Sequence, residues 1–164
     1  MSISGCEKKQ QQKEKVTNKG EQKIQIGMSF DSFVIERWQR DRDVFVSTAK
    51  EMGADVNVQN SNGDIEEQKR QILYFIDQAV DVIVIICIDA DSLSDEVAKA
   101  KKAGIKVIAY DRLVRDANVD LYISFDNETV GQQMGEELVN NGIEAGSNVI
   151  MIGGSPTDYN VPMV

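Results

Sequence analysis

The stretch IKVIAYDRLVRD, residues 105–116, runs through apolar residues and then presents an adjacent acid and base, Asp111 and Arg112. Five other apolar runs end in a comparable way: FDSFVIERW follows the first, NSNGD the second, DADS the third, DNE the fifth and SPTDYN the sixth. Asp, Asn, Ser and Arg together with an aromatic ring are the groups that recognise a polyol. Carboxylates, amides and guanidinium groups each satisfy two neighbouring hydroxyls, and an aromatic face covers the C–H side of a sugar. An acid beside a base suits a neutral ligand, because each compensates the other's charge once water is excluded. The plainer role for Asp111 and Arg112 is a surface ion pair, which stabilises little.

Composition argues against other chemistries. The 164 residues include no histidine, which removes Ser-His and Cys-His catalysis and the commonest metal ligand. GMSFDSF after the first apolar run is not the G-x-G-x-x-G of a dinucleotide site, and no P-loop pattern occurs. Neither enzyme activity nor a cofactor nor a metal is therefore expected. A phosphorylatable receiver domain would use Asp31 and Asp89, but it also needs a Lys after the fifth strand, and none is there. Net charge is −9, and because six of the 18 basic residues precede Ile24 beside three acids, the remainder carries −12. A body that acidic repels phosphate backbones, so nucleic acid is not an expected partner.

The elements that must position these residues are readable from Ile24 onward. KIQIGMS, DVNVQ, VDVIVIICI, IKVIAY, LYISF and NVIMIGG have the composition of strands, the third and fourth apolar on both faces. Between them lie four helical patterns. The first, from about Ile35 to Met52, aligns Trp38, Phe45, Ala49 and Met52; the second Ile65, Ile72, Ile76 and Ala79; the third Leu93, Val97 and Ala100; the fourth Val130, Met134 and Leu138. Gly53, Gly104 and Gly142 stand where helices should stop, and Asp126 is placed to cap the fourth. Alternating strands and helices predict an α/β fold, a three-layer αβα sandwich around a parallel sheet with right-handed crossovers. In such sheets ligands bind at the carboxyl ends of the strands, where the polar segments lie.

Residues 1–23, MSISGCEKKQQQKEKVTNKGEQK, have too little apolar surface to fold alone and read as a disordered tether. Ile3-Ser4-Gly5-Cys6 looks like the end of a bacterial lipobox, which would make Cys6 a lipidation site; the alternative is an incidental thiol, as no apolar signal segment precedes it. Cys87 lies in an apolar run and reads as a small buried hydrophobe, so no disulfide is expected.

IGMSFDSFVIERWQRDRDVF, GADVNVQNSNGDIEEQ, VDVIVI, GIKVIAYDR, DLYISFDNETVG and GGSPTD, in this order and spacing, resemble the N-terminal lobe of the bacterial D-xylose-binding proteins, within the ribose- and galactose-type periplasmic binding proteins. The resemblance covers nearly everything from Lys23 to Asp158. It implies one lobe of the type I fold and a non-catalytic extracytoplasmic receptor for D-xylose or a related aldopyranose. Its partners would be that monosaccharide and a membrane ABC permease or a membrane histidine kinase. By the same resemblance Arg37 donates to the sugar and Trp38 stacks on it, unless Trp38 is simply core. Asp111 accepts from hydroxyls, Arg112 donates, and Asp158 and Asn160 face the same ligand. The expected organisation is a tether over 1–23, a sugar-binding lobe over 24–158 and an atypical end over 159–164. There Tyr159 departs from the family pattern, and VPMV stands where a helix should begin. That end reads as a frameshifted or engineered terminus, or as one lobe by design. A C-terminal lobe is then missing, and a homodimer would be the other way to close the site.

Overall fold

A computed structural model describes residues 23–161. The expected tether with Cys6, and residues 162–164, lie outside the described residues.

Five strands, β1 (Gln25–Phe30), β2 (Asp55–Asn60), β3 (Val82–Ile85), β4 (Lys106–Tyr110) and β5 (Leu121–Ile123), form one parallel sheet in the order β2-β1-β3-β4-β5. Side chains of a strand alternate between faces, and β3 shows both. Ile83 and Ile85 join a core with Ile72 and Phe75 of α2 (Ile65–Asp77) and Val97 and Ala100 of α3 (Ser94–Lys102). Val84, with Ile86 just beyond the strand, joins Met28, Phe30 and Trp38 of α1 (Glu36–Glu51) on the other face. The α/β architecture with helices on both sides of a parallel sheet is thus as expected. Gly27 lets α2 approach β1 closely: a Cβ there would lie 2.5 Å from the Phe75 ring.

The helix-side core is not wholly apolar. Gln68, fully buried, donates to the Ile86 carbonyl (2.9 Å) and accepts from the Ile88 N–H (3.0 Å), pairing backbone groups that β3 no longer satisfies where it ends. Ser29 donates to Gln71 Oε1 at 2.8 Å beside it. This buried network ties the carboxyl ends of β1 and β3 to α2.

Three expectations are corrected. Met52 and Ala79, assigned to the stripes of α1 and α2, are both exposed because they lie past the helix ends, Met52 at the C-cap of α1 and Ala79 beyond the Gln78 C-cap of α2 at φ +51. The sixth strand is not formed: residues 148–154 pair with no strand of the sheet, and Ile150, Met151 and Ile152 are exposed. The fourth helical pattern does form a helix, α4 (Asn127–Asn140), but none of its residues is buried, and Val130, Met134 and Leu138 border an open groove shared with residues 149–152. The two departures go together: a further parallel strand needs a crossover helix packed on the sheet, and no residue of α4 is buried against it.

Candidate functional site

In the order β2-β1-β3 the chain leaves β1 to one side for β2 and returns to its other side for β3, and such a reversal opens a crevice at the carboxyl ends of the strands. Asp31 follows β1, Cys87 follows β3, and Asp111 and Arg112 follow β4. Because β3 lies between β1 and β4, Arg112 reaches Asp31 across the end of β3. Its Nη1 is 2.8 Å from Asp31 Oδ2 and 3.2 Å from the Cys87 carbonyl.

Arg37 lies in the first turn of α1, so its side chain stands over the same crevice. Its Nη2 donates to Asp111 Oδ1 at 2.5 Å and its Nε to Asp41 Oδ2 at 3.3 Å, while Tyr110 donates to that Asp41 oxygen at 2.9 Å. The Arg37 Cζ sits 4.2 Å from the centre of the Trp38 ring, and Arg112 Cζ 5.8 Å from it. Trp38 is only 2% exposed and its Nε1 finds no acceptor among the described residues.

Asp158 and Asn160 arrive on residues 155–160, fastened to the lobe where the Ala90 N–H donates to the Thr157 carbonyl (3.1 Å). Asp158 Oδ2 is 2.8 Å from Arg112 Nε, an ion pair too bent for a hydrogen bond. Asn160 Nδ2 donates to the Asp111 carbonyl (3.0 Å) and lies 3.4 Å from Asp111 Oδ2. All six residues singled out in the sequence therefore meet in one connected network. Asp31, considered in the sequence only as a receiver-type acid, joins it as the second carboxylate on Arg112. No local pattern signals that role, since its partner is 81 residues away. Asp126 caps α4, accepting from the Thr129 N–H at 3.1 Å, as expected. Asn127 instead donates to Asn160 Oδ1 at 3.1 Å.

Burial sets the electrostatics. It pushes the Asp31 carboxyl up from its ordinary value, against the pull of the Arg112 guanidinium. For Arg37 burial works against the charge, but the hydrogen bond and charge of Asp111, helped by Asp41, hold its pKa above the ordinary arginine value. Burial pushes the Cys87 thiol up to about 12, which leaves it a poor nucleophile. No group of three or more His, Cys, Asp or Glu among the described residues could hold a metal ion. What the arrangement can do is bind: it offers fixed acceptors and donors side by side, with an aromatic ring beneath.

Residues 26–163 match the family model of the periplasmic binding protein domain. The chain is 48% identical over 140 residues to the D-xylose-binding periplasmic protein of Escherichia coli (strain K12), covering 85% of this chain and 42% of that protein. It is 37% identical to the multiple sugar-binding periplasmic receptor ChvE of Rhizobium radiobacter, covering 82% and 40%. Among solved structures, an ABC transporter solute-binding protein from Clostridium phytofermentans with bound β-D-glucose superposes with a TM-score of 0.79 at 34% identity, over 85% of this chain and 44% of that one. The chain thus spans 40–42% of the length of these curated relatives. With the family model matched over most of its length and the reversal-point crevice built as described, the chain belongs to the periplasmic binding protein family.

Proposed function

We propose that this chain is the N-terminal sugar-binding part of an extracytoplasmic receptor that recognises D-xylose or a related aldopyranose and releases it unchanged. The observation that carries this reading is the convergence of Arg37, Asp111, Arg112, Asp158 and Asn160 on one crevice beside Trp38. The 48% identity to a D-xylose-binding protein supports the ligand assignment. Asp111 and Asn160 accept from sugar hydroxyls, Arg37 and Arg112 donate to them, and Trp38, almost fully buried, supports the two guanidinium groups from below instead of stacking on the sugar. The rest of the affinity comes from chain beyond this part, which closes over the sugar. Delivery to a membrane ABC permease is the downstream step on this reading, with Cys6 as a lipid anchor. A membrane histidine kinase is the alternative recipient.

The test is calorimetric titration of the full-length gene product with D-xylose. Arg112→Ala should weaken binding by about 1.5–3 kcal/mol, because it removes charged hydrogen bonds and leaves Asp31 and Asp158 without their shared partner. Unchanged affinity in that variant would remove Arg112 from the site, and turnover of the sugar would remove the class.

A further inference from the structure

Asp111 has φ +64, one of four non-glycine residues in the left-handed region among the described residues. An L-residue is strained there by contact between Cβ and the following carbonyl, so its neighbours must hold it. Four hydrogen bonds converge on its backbone groups. The Asp111 N–H donates to the Ile123 carbonyl at 2.7 Å. The Asp111 carbonyl accepts from the Ser124 hydroxyl (2.8 Å), the Tyr122 hydroxyl (3.2 Å) and Asn160 Nδ2 (3.0 Å).

The strand register explains the origin of the first two hydroxyls. Tyr110 pairs with Ile123, so the residue after each, Asp111 and Ser124, stand opposite as the strands end. Tyr122 lies in β5 and Ser124 just past its end, two residues on, and both hydroxyls reach the Asp111 carbonyl. Asp111 itself is 7% exposed, and its carboxylate is held toward Arg37 by that backbone conformation. Were residue 111 to relax to negative φ, the Cα–Cβ bond would swing and the carboxylate would leave Arg37.

We propose that Tyr122 and Ser124 are positioning residues for the Asp111 sugar contact. They hold residue 111 in the left-handed conformation that aims its carboxylate into the crevice, without touching the sugar themselves. This inference rests on the sugar-site reading above.

The experiment is a double-mutant cycle on the full-length gene product, read as D-xylose affinity by calorimetry with thermal unfolding measured alongside. Ser124→Ala and Tyr122→Phe should each weaken xylose about 3- to 10-fold, the range expected for losing one hydrogen bond that fixes a ligand group. Ser124→Thr, which keeps the hydroxyl, should bind as wild type. In an Asp111→Asn background, Ser124→Ala should cost no further affinity, because the carboxylate it positions is already gone. Wild-type affinity in both hydroxyl deletions overturns the proposal. So does an equal fold-loss with and without the Asp111 carboxylate, which would indicate general loosening of the strand end. If Asp111→Asn alone binds xylose as wild type, the sugar contact itself is wrong, an outcome separate from the first two.

Discussion

Asp120 shows how one side chain can join a strand to a helix on the side away from the crevice. Its carboxylate accepts from the Val107 N–H at 2.9 Å and pairs with Lys101 Nζ at 2.6 Å and Lys106 Nζ at 3.2 Å. The hydrogen bond from Lys101, then that from Val107, hold its pKa well below the ordinary aspartate value. A carboxyl with a depressed folded pKa contributes stability above the unfolded value, near 3.8, and that contribution is lost as pH falls through the folded one. Acidification from pH 5 to pH 2 should therefore lower the Tm of the wild type more than that of Asp120→Asn. Parallel curves of Tm against pH would mean that Asp120 takes no part in acid unfolding. Asp31 has the opposite sign: burial raises its folded pKa, so its ionisation on raising pH through that range opposes folding, with Arg112 as the offset. A carboxylate held this way serves the crevice at some expense to stability.

At the scale of elements, Gly27 of β1 lies directly under the Phe75 ring of α2. Gly27→Ala sets a Cβ within 2.5–2.7 Å of the Phe75 ring, which must move or push α2 off the sheet. A loss of about 1–3 kcal/mol is expected in urea unfolding. Combining it with Phe75→Leu should give less destabilisation than the two changes added, since the smaller side chain relieves the clash. The same scale shows what was legible in the sequence. The first five strands and all four helices were readable from their apolar patterns, and the first, third and fourth helices also from a glycine stop, Gly53, Gly104 and Gly142, at φ +82, +82 and +88. Asp111 and Arg112 were readable because they terminate an unmistakable buried strand. The stretch 148–154 has the composition of a strand and α4 the period of an amphipathic helix, but composition and period are local. Whether a neighbour exists to accept them is decided elsewhere in the chain. For the same reason Tyr122 and Ser124 read only as strand residues: their role depends on the register with β4.

For the whole molecule, burial divides the chain unevenly. The two cores draw on β1 to β4, the first three helices and the turns between them, with Val114, Ala117 and Val119 as the last contributors. Beyond β5, α4 buries nothing, and the loop 155–160 is held mainly through Arg112, Asp111 and Ala90. Ending the chain after Asp126 should therefore keep a cooperative thermal transition and lower its midpoint by less than about 5 °C, the loss of a few partly exposed polar contacts. Loss of the cooperative transition would show that residues 127–161 complete the core.

The crevice has a further consequence, one of ionic discrimination. Four carboxylates, Asp31, Asp41, Asp111 and Asp158, share two guanidinium groups, Arg37 and Arg112, leaving a formal excess of two negative charges at the mouth of the fold. Both cations are already committed to acids, and the surrounding protein adds more negative charge. On the proposed reading, a neutral pentose meets balanced donors and acceptors there. A uronate or a sugar phosphate of similar shape meets repulsion that lowers its entry rate as well as its affinity, most strongly at low ionic strength. On that reading the ion-pair network would screen ligands by charge before any hydroxyl is recognised.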